Sequence, residues 1–195
     1  TTAHLRLPIF SWKAIFTTNY DRLIEKAYDA YQSTTLGAPR QQINVIVAQP
    51  QDIYTSNPEA IPLIKINGCI TKIDKKCPLI LSSKDFEITR KRRNQHLRYL
   101  RTISRDATIL FIGYSFQDRF SIDFLKDIKR ESGGMLQRRI YALMPEENNT
   151  IASILEGNGV KIVKMSFEDC FEVLNSEINN NARKIAFHHN IKPLS

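Results

Sequence analysis

Among 195 residues there are only three cysteines, Cys69, Cys77 and Cys170, and no two of them form a CxxC pair. Structural zinc sites are built from closely spaced thiolates and imidazoles, so that metal-ligand spacing is absent and no metal is expected. A disulfide framework is not expected in a chain of this size, and a reducing cytoplasm is the expected setting. Long apolar runs are missing too. Without a stretch of about 18 apolar residues there is no candidate membrane span, and no charged-then-apolar segment of the signal type occurs. Few aromatic residues interleave with the basic ones, which removes the stacking platform that single-stranded nucleic acid prefers.

What is present is an ordinary globular composition, 42% hydrophobic and 25% charged, long enough for one sizeable core. The formal net charge is +8. Much of it sits in one run, Arg90, Lys91, Arg92 and Arg93, followed by Arg98, Arg101 and Arg105. A basic helix face can neutralise phosphates and gain affinity through counterion release, so Arg90, Arg92 and Arg93 are candidate nucleic-acid contacts. The alternatives are a solvated helix face or a surface that meets an acidic partner domain.

Short apolar runs alternate with helical patterns. Strands are expected over 14–18, 43–47, 63–66 and 79–81, with a helix over 20–31 and a polar, basic helix over 85–105, whole or broken in two. The clearest strand–helix–strand unit follows: a continuous apolar strand over 108–112, a loop over 113–118, then a helix with Ile122, Leu125 and Ile128 on one face, stopping at Gly133-Gly134. Strands over 140–144 and 160–163 flank a helix over 151–156 that ends at Gly157-Asn158-Gly159, where left-handed backbone is cheap. A last helix has Ser166 as N-cap and Phe167, Phe171, Leu174 and Ile178 on one face. This alternation predicts an α/β fold, a mostly parallel sheet with helices on both faces, in a single domain over 1–195. Ligands of such sheets bind beyond the carboxyl ends of the strands. That places the loops at 17–21 and 113–118 at the functional edge.

Thr18, Asn19 and Asp21 bring a carboxamide and a carboxylate to the end of a buried strand, where they could orient a sugar and a water and stabilise positive charge developing at an anomeric carbon. The alternative is that Asn19 or Asp21 caps the next helix. In the second loop Gly113 would let backbone approach a nucleotide closely, and Ser115 could bond a ribose or phosphate. Equally, Ser115 or Asp118 could cap the helix that follows. Gly113-Tyr114-Ser115 is not part of a Gly-x-Ser-x-Gly motif, so no hydrolase elbow is indicated.

Taken in order, these pieces resemble the sirtuin-like family, and within it the branch found in bacterial anti-phage defence proteins. Thr17-Thr18-Asn19-Tyr20-Asp21 resembles the family's Thr-x-Asn-x-Asp signature. Ile64-Lys65-Ile66-Asn67-Gly68 resembles the Lys-x-His-Gly segment that carries the catalytic histidine, and Phe111-Ile112-Gly113-Tyr114-Ser115, with Asp118 beyond, is similar to the Gly-x-Ser segment on the adenosine side of NAD. The resemblance spans roughly 10–175. It implies a Rossmann-like fold with NAD as substrate and cleavage of the nicotinamide–ribose bond. Asn19 would position the ribose and attacking water, and Asp21 the nicotinamide-ribose end. Thr17, Thr18, Gly113, Ser115 and Asp118 would contact the dinucleotide, Gly113 and Ser115 at the adenosine ribose. It further implies self-association and other domains or subunits of a defence complex. Deacetylation is disfavoured, since deacetylases of the family carry a zinc module of paired CxxC motifs.

Two departures accompany the resemblance. The histidine position reads Asn67, and an amide cannot act as a general base; on that ground the chain is expected to be inactive, or to be a non-catalytic interaction module for a protein or nucleic-acid partner. Asn67-Gly68 is otherwise a plain turn dipeptide. The family's glycine loop, which cradles the pyrophosphate after the first strand, does not occur before Thr17. The first strand and that loop are therefore expected upstream of Thr1, the domain to be N-terminally incomplete, and NAD to bind weakly to the chain alone.

Overall fold

The computed structural model describes residues 3–34, 42–47, 60–73, 78–116, 119–131, 139–146 and 148–178. Cys77, Asp118 and Gly133-Gly134 lie outside the described residues. The chain divides into two compact units, Thr1–His96 with Asn175–Ser195, and Leu97–Leu174. The architecture is α/β and Rossmann-like, and every strand pairing is parallel. Where the sequence predicts one sheet, the described strands pair as two sheets of three, one in each unit.

In the first unit, β1 (Ile15–Thr17), α1 (Leu23–Thr34), β2 (Ile43–Ile46) and β3 (Ile61–Lys65) give the strand order β1-β3-β2. The central strand β3 contains Pro62, a residue normally kept out of such positions because it has no N–H for the ladder. Hydrogen-bond parity explains its tolerance. The Ile61 amide donates to Gln42 of the β2 segment at 2.8 Å, and the Ile66 amide to Thr17 of β1 at 2.9 Å. Odd residues of β3 therefore face β2 and even ones face β1. Pro62 turns its nitrogen toward β1 at a level where β1, which begins opposite Leu63, has not started. Leu63 and Ile64 are wholly buried, and Ala27 and Tyr28 of α1 are buried in the same unit.

The first helix begins at Leu23, later than its periodicity suggests, because the Asp21 side chain accepts a hydrogen bond from the Leu23 amide at 2.8 Å and fixes the entry turn. The expected strand at 79–81 does not form. That segment is bound at single points: the Ile80 amide donates to the Asn67 carbonyl at 3.0 Å, and the Ile80 carbonyl accepts from the Tyr20 hydroxyl. The polar helix is broken in two, α2 (Ser83–Ile88) and α3 (Arg90–Ile103). Ser82 and Asp85 form a reciprocal capping box at the start of α2. Hydrogen bonds from the Ser82 hydroxyl, foremost, and the Leu81 amide hold the Asp85 carboxyl below the usual carboxylate range.

Of the basic run, Arg90 is exposed beside Glu87 at 3.9 Å, whereas Arg93 is buried with its guanidinium 3.2 Å from the centre of the Phe86 ring. The expected basic face thus keeps Arg90 but not Arg93. One turn on, His96 is 0% exposed and neither ring nitrogen has a hydrogen-bond partner among the described residues. Burial, and secondarily the charge of Arg92, pushes its pKa down to about 4 from 6.5. Between those values the unfolded chain binds more protons than the folded one, so this contribution to stability is complete above pH 6.5 and lost as pH falls toward 4. The shift corresponds to about 3 kcal/mol. Urea unfolding from pH 7 to 4 should show that loss, and His96→Leu should flatten the profile within this window.

The second unit runs β4 (Ile109–Phe111), α4 (Arg119–Glu131), β5 (Ile140–Leu143), α5 (Asn149–Gly157), β6 (Val160–Val163) and α6 (Phe167–Glu177), with strand order β4-β5-β6. These are two successive strand–helix–strand crossovers. Leu125 and Ile128 are buried with Phe124 against Ile140, Ala142, Leu155 and Val160, and Ile122 packs on the same cluster, as the periodicity predicts. Gly159, at φ +81°, supplies the left-handed turn after α5. The Ser166 hydroxyl accepts from the Asp169 amide at 3.0 Å and caps α6.

Candidate functional site

The pairing Thr17↔Lys65 puts the carboxyl ends of β1 and β3 side by side. The loops leaving them, at 18–21 and 66–73, are therefore neighbours, which is the placement expected of a ligand edge in a parallel sheet. Backbone and side-chain bonds stitch them together. The Ile70 amide donates to the Tyr20 carbonyl at 3.0 Å, and the Asn67 side-chain amide donates to the Thr18 carbonyl at 3.2 Å. Asn67, half-buried, is thus held against the Thr18–Asn19 backbone.

Asn19 is exposed, its own amide donating to the Thr17 hydroxyl at 3.1 Å, which leaves the carboxamide at the surface. Thr17 and Thr18 serve the turn through that hydroxyl and the Thr18 carbonyl. Asp21 is exposed and performs the capping role anticipated as the alternative, through one carboxylate oxygen. A carboxylate has room for further bonds on its second oxygen, so capping does not exhaust it.

Gly68 closes the second loop and is required there. Its φ is +104°, and an added Cβ would lie 3.0 Å from Leu79 Cδ2 and 3.1 Å from the Pro78 carbonyl oxygen. Gly68→Ala should destabilise the protein by about 2 kcal/mol or more, through backbone strain plus the close carbonyl; the urea midpoint measures it.

Beneath these loops lies a group that sequence reasoning did not single out. Lys65, 1% exposed, places its ammonium 2.8 Å from Glu25 Oε1 of α1. It also donates to the Asp21 carbonyl and approaches Cys69 Sγ at 3.5 Å. Burial pushes the Cys69 thiol up, but hydrogen bonds with Thr71 and the Lys65 charge outweigh it, and the net displacement is downward. The other oxygen of Glu25 has no hydrogen-bond partner among the described residues. A lysine within the apolar run Leu63-Ile64-Lys65-Ile66 was the available signal, but its partner on α1 is remote in sequence.

In the second unit, the loop after β4 carries Gly113 and Ser115, both exposed. Gly113 has φ +61° with open space where a side chain would stand, so backbone is accessible there. Phe116 adopts φ +52°, a strained value for a bulky residue. It is held by packing: its ring is buried, 4.9 Å from Phe111 and 5.1 Å from Tyr114, both edge-on. This aromatic clamp, invisible in the residue pattern, fixes the backbone that follows Ser115.

No described helix is long and apolar enough to cross a membrane. A family model described as a SIR2-like domain matches residues 13–163, a span that includes Asn19, Asp21, Asn67, Gly113 and Ser115. No curated protein gives a match.

Proposed function

The chain belongs to the SIR2-like domain family, whose fold binds NAD, and from that premise we propose that it is the NAD-binding, NAD-cleaving domain of a cytoplasmic anti-phage defence effector, with turnover blocked by Asn67. The reaction is hydrolysis of the bond between nicotinamide and ribose, water adding at the anomeric carbon to give ADP-ribose, nicotinamide and a proton. Asn19 orients the ribose and the water. Asp21, with its second oxygen, holds the nicotinamide-ribose end and stabilises the positive charge that develops there. Gly113 and Ser115 contact the adenosine ribose, and Thr17 and Thr18 shape the first loop; Asp118 is assigned to the dinucleotide by resemblance alone.

The observation that carries this reading is the adjacency of Asn19, Asp21 and Asn67 on two loops tied to each other at the carboxyl ends of paired strands. Within the first unit, the residues present fit the nicotinamide-ribose end: an exposed carboxamide and a carboxylate with a spare oxygen. Self-association and further domains or subunits of a defence complex belong to the same proposal. A second reading, a non-catalytic interaction module, draws support from Asn67, whose side chain serves as a staple between loops and cannot accept the water's proton.

Calorimetry with NAD on the full-length gene product distinguishes the two. Binding that weakens at least tenfold in Asn19→Ala and in Ser115→Ala is the expected result. If the unmodified protein shows no NAD binding, the NAD reading falls and the module reading takes its place.

A further inference from the structure

Lys65 presents three N–H donors and meets three acceptors: Glu25 Oε1, the Asp21 carbonyl and Cys69 Sγ. Its donors are used up inside the protein, so it has none to offer a substrate. Nor is the cluster arranged for stability alone. Removing two charges from water is expensive, an apolar pair of similar volume often does as well or better, and one buried oxygen of Glu25 has no hydrogen-bond partner among the described residues. What the ammonium does accomplish is geometric. Its acceptors come from three places that sheet pairing alone does not fix against one another: the entry of α1, the loop leaving β1, and the turn after Gly68.

We propose that Lys65, charge-balanced by Glu25, is the positioning residue of this site: by gripping the Asp21 carbonyl and Cys69 it fixes the 18–21 loop against the 66–73 loop, and so sets where the Asn19 carboxamide and the side chain at position 67 stand. The assignment rests on the NAD reading for its functional consequence, but its geometric content is independent of any ligand.

The test replaces the pair with apolar residues, Glu25→Leu with Lys65→Met, so that no unpaired charge stays buried. Hydrogen exchange of the Asn19 and Leu23 amides is followed in the unmodified chain and the double variant. Exchange at least tenfold faster at these two amides, with β3 amides unchanged, supports the positioning role; unchanged exchange overturns it. NAD affinity is measured in parallel, and a Kd at least tenfold weaker in the folded double variant is expected. Wild-type affinity there overturns the functional consequence. If the unmodified protein binds no NAD, the NAD reading alone has failed, and amide exchange still decides whether Lys65 fixes the loops. If the double variant does not fold, nitrogen-15 spectra of the unmodified protein decide: a slowly exchanging Lys65 ammonium signal supports the role, and exchange as fast as that of a surface lysine overturns it.

Discussion

Asn67→His is expected to raise nicotinamide release from NAD by about 10² to 10⁴, the range a positioned general base supplies. The geometry of the wild-type side chain is the reason to expect so large a gain from one change. Asn67 donates through its δ nitrogen to the Thr18 carbonyl at 3.2 Å. An imidazole attached to the same backbone also carries a nitrogen at the δ position, and that N–H can make the same bond. The Thr18 carbonyl would then fix both the tautomer and the ring plane, leaving Nε2 unprotonated and able to take a proton from the attacking water. Asn67→Gln is the control, because it keeps an amide and adds no base. Release of nicotinamide from the full-length gene product, followed chromatographically, is the measurement. Equal rates for Asn67→His and the wild type, in a protein shown to bind NAD, would rule out the assignment of position 67 as the missing base.

Lys65→Met alone should lower stability by about 3 to 5 kcal/mol, the usual result of removing one partner from a buried ion pair. Glu25 is 5% exposed, and its Oε1 oxygen loses the ammonium that sits 2.8 Å away. Its second oxygen has no hydrogen-bond partner among the described residues, and the half-exposed Arg22 guanidinium, 4.0 Å from Oε1, compensates only in part. Chemical denaturation gives the number directly. Adding Glu25→Leu to the single change should recover most of the loss, and a double variant no more stable than Lys65→Met would show that packing rather than charge governs this position.

The local rules of sequence did well where a pattern repeats over several residues. The Ile122, Leu125 and Ile128 face of α4, the Ser166 cap of α6 and the glycine turn at 157–159 all form as their chemistry dictates. Misplacements came where a few bonds decide. An apolar run at 79–81 looks like a strand, yet Ile80 bonds singly rather than along a ladder, its amide donating to the Asn67 carbonyl and its carbonyl accepting from the Tyr20 hydroxyl. The start of α1 moved because Asp21 spends an oxygen on the Leu23 amide. Within the candidate site, Asn19, Asp21 and Asn67 are proposed from sequence, and the two loops that carry them are neighbours in the first unit. Lys65 could not be given a role, since its meaning depends on Glu25 and the Asp21 carbonyl, which only tertiary structure brings within reach. Arg93 shows the converse: counted among outward charges, it lies buried over Phe86.

Pro62 has a bearing on how the first sheet assembles. Sliding β3 by one residue against β2 would exchange its odd and even members. The proline nitrogen would then confront a carbonyl of β2 with nothing to donate, and Lys65 would rotate to the opposite side, away from Glu25. A misaligned strand is thus rejected both by a missing amide and by a stranded charge, a safeguard of some value in a parallel sheet whose partners are far apart in the chain and slow to find each other.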